Sequence, residues 1–135
     1  DSYNASPPSM RAAFSVLAMA KPSTPRGRRI AVLGDMLELG PDEQAAHNGL
    51  AEDLVREGID LVFACGPLMR GLYEALPAQK RGHHAPNSIE LIQPLRRAIR
   101  SGDVLLVKGS LGSRMGKIVE DLLTAPPQPR AANGW

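Results

Sequence analysis

The chain predicts an α/β fold, in which a mostly parallel sheet is covered by helices on both faces. Three observations carry this reading. Residues 30–34, 61–66 and 104–109 are short, nearly continuous apolar runs, and each ends in glycine. Runs of that length and apolarity mark strands buried on both sides. Helix-length amphipathic segments lie between them, and strand and helix alternate, which is the order that builds parallel sheets through crossovers. The expected architecture is a three-layer, Rossmann-like domain.

Taken in order, Ser6-Pro7-Pro8-Ser9 caps a first helix that runs to about Met19, because serine suits the N-cap and proline the first turn. The run Ile30-Ala-Val-Leu-Gly34 is the first strand. Residues 41–58 open with Pro-Asp-Glu and stop at Gly58, with Leu50, Leu54 and Val55 as the apolar stripe. The second strand follows, then a shorter helix over residues 67–76. The segment around His83, His84 and Ala85 is a candidate for one more short strand. Residues 88–100 place Ile89, Ile92, Leu95 and Ile99 at three- and four-residue spacing and carry basic residues in the last turn. The third apolar run and a helix over residues 113–123 complete the domain, expected to span residues 1–124. Ala-Pro-Pro-Gln-Pro-Arg then opens a proline-rich stretch, residues 125–135, expected to be disordered.

At 135 residues the chain suits one domain, and 43% hydrophobic residues against 4% aromatic ones imply an aliphatic core. A net charge of +2 is far from that of a basic nucleic-acid binder, and no aromatics interleave with the cations to stack bases. The run Arg26-Gly-Arg28-Arg29 reads as a solvated strand entrance, or else as an anion or nucleic-acid patch. Cys65 has no second cysteine to pair with, and no apolar stretch is long enough to cross a bilayer. The chain begins at Asp1, shows no secretory leader, and reads as a piece of a longer cytoplasmic protein.

Ligands of open parallel sheets gather at the carboxyl ends of the strands. Asp35, Gly66-Pro67 and Lys108-Gly109-Ser110 fall there. Lysine at a strand end before a glycine turn can cradle an anion with backbone N–H groups, or be a plain surface cation. Asp35 and Glu38 are placed either to cap the following helix or to bind a cationic or hydroxyl ligand. His47 reads as a packed helix histidine or a functional one. His83 and His84 are adjacent, a spacing that does not aim two rings at one metal ion, and no metal site is expected. Gly112-Ser-Arg-Met-Gly116-Lys117-Ile118 is not a phosphate loop: the pattern needs glycine at position 111 and serine or threonine at 118, where leucine and isoleucine stand.

Several segments together resemble the C-terminal domain of the Mur ligases, and within them the MurF branch. They are Asp1-Ser-Tyr3-Asn4-Ala-Ser6-Pro7-Pro-Ser9-Met10, then Ile30-Ala-Val-Leu-Gly34-Asp35-Met36-Leu-Glu38-Leu-Gly40 with His47, and Gly102-Asp103-Val-Leu-Leu-Val-Lys108-Gly109-Ser110. The family usually has asparagine where Ser6 stands. Many members carry arginine directly after Lys-Gly-Ser; here Leu111 is there and Arg114 follows three residues later. The resemblance implies an ATP- and Mg2+-dependent ligase joining D-alanyl-D-alanine to a UDP-N-acetylmuramoyl tripeptide. The phosphate loop and metal ligands would sit in a preceding central ATPase domain, so this chain alone should be inactive and hold no catalytic residue. By position, Asp1 and Asn4 would meet ATP. Tyr3, Asp35, Lys108, Ser110 and Arg114 would meet the substrates. Alternatives are the C-terminal domain of another Mur or folylpolyglutamate-type ligase, or a receiver-like signalling domain. The latter wants an aspartate after a middle strand, where Cys65-Gly66-Pro67 stands.

Overall fold

In the computed structural model, which describes residues 5–124, four strands form one wholly parallel sheet. The elements are α1 (Pro7–Met19), β1 (Arg29–Gly34), α2 (Glu43–Arg56), β2 (Leu61–Cys65), α3 (Met69–Ala75), β3 (Arg81–Ala85), α4 (Ser88–Ala98), β4 (Val104–Lys108) and α5 (Gly116–Thr124). The sheet order is β3-β2-β1-β4. Asp1, Tyr3 and Asn4 lie outside the described residues, as does the stretch 125–135.

The sheet grows from β1 through β2 to β3 and then reverses to place β4 on the far side of β1. Crossovers of one hand therefore put α2 and α3 on one face and α4 on the other. Strand alternation divides the core accordingly. Ala31 and Leu33 face Met10, Phe14 and Leu17 of α1, Leu50 and Leu54 of α2, and Leu72 of α3. Ile30, Val32 and Phe63 face Leu91 and Leu95 of α4 and Ile118 of α5. The three-layer α/β expectation holds.

Ser6 caps α1 as its sequence predicts. Its Oγ accepts from Ser9 N while Ser9 Oγ accepts from Ser6 N, a reciprocal capping box worth about 1 kcal/mol. Three details differ from expectation. β4 is an edge strand and only half-buried along its length, because nothing pairs beyond it among the described residues. In α2 the buried stripe is His47, Leu50, Ala51 and Leu54, while Val55 is 43% exposed. In α4 the stripe is Leu91 and Leu95, and Ile89 lies outward at 55% exposure.

The amino ends of β1 and β4 are tied by Arg28 and Asp103. Arg28 N and Nε donate to Asp103 Oδ1 at 2.9 and 3.2 Å, and Nη2 donates to Oδ2 at 2.8 Å and to Ala98 O at 2.8 Å. Arg100 N adds a fourth bond to the carboxylate at 2.8 Å. Arg28 is therefore neither a solvated entrance nor part of an anion patch. Its charge is spent inside the fold.

Candidate functional site

The carboxyl end of β1 is held by bonds from three other elements. Asp35 is 6% exposed, and its carboxylate accepts from Leu68 N at 3.2 Å and Met69 N at 2.8 Å, at the start of α3. Its side chain thus caps a helix, but α3 rather than the one that follows it in sequence. Gly66 makes room for this: its φ of +103° suits glycine, and a Cβ there would fall 2.5 Å from the Asp35 carboxylate. The Asp35 carbonyl accepts from Ser110 N at 3.1 Å and Ser113 Oγ at 2.8 Å, which joins the β1 loop to the turn after β4.

The next two backbone N–H groups are also claimed. Met36 N donates to His47 Nε2 at 2.9 Å, and Leu37 N donates to Ser110 Oγ at 2.8 Å. Since Nε2 must accept, the His47 proton sits on Nδ1, which donates to Glu43 O at 2.6 Å. His47 is fully buried and Ser110 is 3% exposed. The Ser110 hydroxyl, expected to meet a substrate, is turned inward onto Leu37.

The sheet's order reverses between β1 and β4, the position where doubly wound sheets bind ligands. Here the chain fills it. Met115 lies buried over Gly34 and Gly109: a Cβ at 34 would be 2.6 Å from its Sδ, and one at 109 would be 2.7 Å from its Cγ. Cys65 Sγ approaches the same sulfur at 3.5 Å. Burial, and secondarily the Asp35 charge, push the Cys65 thiol up to about 12, so it is no nucleophile.

Open space is left on either side of this plug. One cleft, of about 520 Å³, has Asp35, Cys65 and Gly66 at its base and Leu37, residues 86–90 and residues 112–114 around it. The other, about 680 Å³, runs along β4 and the start of α5 and is lined by Lys108, Ser110, Arg114, Lys117 and Glu120 among others. Lys108, Arg114 and Lys117 make no side-chain hydrogen bond or ion pair among the described residues, so three cations share one cleft with a single carboxylate, Glu120. Arg114 borders both clefts. It has a left-handed backbone, φ +58°, a conformation that costs a non-glycine residue about 1–2 kcal/mol and is frequent at functional sites. A three-residue 3₁₀ turn, Leu111–Ser113, leads into it, and Arg114 closes that turn as its C-cap, with its N–H donating to Leu111 O.

His83 and His84 fall on β3, where successive side chains point oppositely. His84 Nε2 donates to Gly66 O at 2.7 Å, and its ring lies 5.9 Å from Tyr73. Among the described residues no group of three or more His, Cys, Asp or Glu side chains could hold a metal ion. No helix among them is long and apolar enough to cross a membrane. Sequence reasoning missed Met115, Ser113 and Lys117. The facing glycines at 34 and 109 were the available signal for the first, since glycine at two strand ends leaves space for a large side chain.

The described residues thus form a doubly wound parallel domain, filled at its switch point by Met115 and flanked by a cleft that carries three cations. The Mur ligase, glutamate ligase domain family matches residues 1–111, and the chain belongs to that family. It is 36% identical over 131 residues to the UDP-N-acetylmuramoyl-tripeptide–D-alanyl-D-alanine ligase of Bacillus subtilis, covering 93% of this chain and 28% of the relative. The ligase of the same name from Escherichia coli is 36% identical over 124 residues, 90% of this chain and 26% of the relative. The crystal structure of MurF from Acinetobacter baumannii superposes with a TM-score of 0.73 at 30% identity, over 91% of this chain and 26% of that one. MurF ligase from Thermotoga maritima, crystallised in complex with ADP, gives 0.68 at 28% identity, over 89% and 26%. The chain thus spans little more than a quarter of the length of these relatives.

Proposed function

We propose that this chain is the C-terminal domain of a cytoplasmic, ATP- and Mg2+-dependent ligase that joins D-alanyl-D-alanine to a UDP-N-acetylmuramoyl tripeptide for the cell wall. The domain covers residues 1–124, with 125–135 as a tail. The single observation that carries the reading is the cleft beside β4, where Lys108 and Arg114, without ion-pair partners among the described residues, stand at the carboxyl edge of the sheet of a Mur ligase domain. A dipeptide carboxylate docked there would gain charge-assisted hydrogen bonds. Asp35 and Ser110, with their polar atoms engaged by backbone, serve the site by holding its loops. Asp1 and Asn4 would meet ATP and Tyr3 the reacting centre, by their match to the family segment. In this reading phosphate transfer and Mg2+ belong to a central ATPase domain of the same protein, as the resemblance to the family implies.

The test is ligation by the longer protein that carries this chain, assayed with Mg-ATP, tripeptide precursor and D-Ala-D-Ala. Product formation by that protein, with none from the 135-residue chain alone, is the expected result. Ligation or ATP hydrolysis by the chain alone would refute the division of labour.

A further inference from the structure

We propose that His47 is a positioning residue for the cationic cleft, acting through the loop after β1; the inference deepens, and rests on, the reading of that cleft as the dipeptide site. β1 ends at Gly34, so Met36 and Leu37 have N–H groups with no strand partner, in a loop where Met36 is fully buried. Buried N–H groups need acceptors. Two side chains from different elements supply them: His47 from α2 for Met36, Ser110 from the β4 turn for Leu37. The His47 ring is itself fixed, because Nδ1 donates to Glu43 O and leaves Nε2 only the accepting role.

The loop so held presses on the turn that carries Arg114. A Cβ at Gly112 would lie 2.6 Å from Leu37 Cδ1, and Ser110 N and Ser113 Oγ both donate to the Asp35 carbonyl. Freeing Met36 N therefore loosens Leu37, and with it the turn between Lys108 and Arg114. ATP binding, assigned to residues elsewhere, should not feel it. A leucine would fill the His47 position with apolar volume, so the hydrogen-bond acceptor, rather than packing, distinguishes the histidine.

Three variants separate acceptor from bulk. His47→Gln can place Oε1 where Nε2 lies; His47→Asn reaches only the Nδ1 position; His47→Leu offers no acceptor. In the longer ligase, the Leu and Asn variants should raise KM for D-Ala-D-Ala about tenfold or more, with KM for ATP within about twofold, and Gln should stay within about threefold of wild type. In the 135-residue chain, amide exchange at Met36 should quicken about tenfold in the Leu and Asn variants but not in Gln, with Val32 and Val62 amides unchanged. Equal behaviour of Gln and Leu, a parallel rise of both KM values, protection of Met36 in the Leu variant, or unfolding of the Gln variant would each overturn the proposal. If the wild-type ligase does not join D-Ala-D-Ala to the tripeptide precursor, the functional reading fails, and the exchange arm still decides whether His47 holds the loop.

Discussion

Replacing Asp103 with asparagine should destabilise the domain without touching either cleft, because the residue lies at the opposite end of the sheet. The carboxylate accepts four hydrogen bonds, from Arg28 N, Nε and Nη2 and from Arg100 N. Asparagine keeps one acceptor oxygen and turns an NH2 toward donors, so about half the bonds are lost and Arg28 is left without a counter-charge. The side chains are 2% exposed for Asp103 and 20% for Arg28. Removing one partner of a fully buried pair costs about 3–5 kcal/mol; the partial exposure of Arg28 lowers the expectation to about 2–4 kcal/mol. With an unfolding entropy of about 2.1 cal/mol/K per residue, a chain of this length should lose about 7–14 °C in Tm. Burial alone would raise the Asp103 pKa, but the bonds from Arg28 and Arg100 outweigh it and hold it below the ordinary value. A depressed folded-state pKa contributes stability above the unfolded pKa, about 3.9, and loses it as pH falls through the folded value. The gap between wild type and Asp103→Asn, measured by urea unfolding followed by circular dichroism, should therefore be full at pH 7 and narrow below about pH 4. A variant within about 1 kcal/mol of wild type at pH 7, or a gap that stays constant down to acid, would refute the account of this tie.

Two further outcomes are expected. Lys108→Ala in the longer ligase should weaken use of D-Ala-D-Ala by about 1.5–3 kcal/mol, or ten- to a hundredfold, with ATP unaffected and the domain's stability within about 0.5 kcal/mol; steady-state kinetics on both substrates and a thermal melt check it. Cys65, with its thiol pushed up to about 12, should resist iodoacetamide in the native chain at pH 8 and label fully in denaturant, which mass spectrometry reads directly.

The strands that sit inside the sheet were legible because their two buried faces leave a continuous apolar run: β1 (Arg29–Gly34) and β2 (Leu61–Cys65) match the expected runs 30–34 and 61–66 to within one residue. β3 was legible only as a candidate. An edge strand reading Arg-Gly-His-His-Ala has one outer face in water and uses Gly82 where a Cβ would strike the Phe63 ring, so neither periodicity nor apolarity marks it. Helix existence was clear, but the choice of buried face was not: β-branched Val55 and Ile89 look like core residues, and tertiary packing preferred Ala51 and Leu91. The positions of Asp35, Lys108 and Ser110 at strand ends followed from fold class alone. What each side chain touches did not, since Asp35 finds its donors 33 and 34 residues away and Ser110 finds Leu37 at 73. Such pairings depend on the register of neighbouring strands, which local sequence does not state.

The sheet order also bears on how the domain is made. Of the four strands of this sheet, β1 is the first to leave the ribosome, and β4, its partner on one side, is the last. At about 5–20 residues per second, the roughly 70 residues between them take about 4–14 s to synthesise. During that interval one edge of Arg29–Gly34, apolar on both faces, has no neighbour from its own chain. An unpaired apolar edge is a template for other chains. Nascent chains stalled before Val104 should therefore be the species that chaperones capture and that aggregates when they are scarce, and a truncation that removes β4 should be insoluble even though β1, β2 and β3 remain.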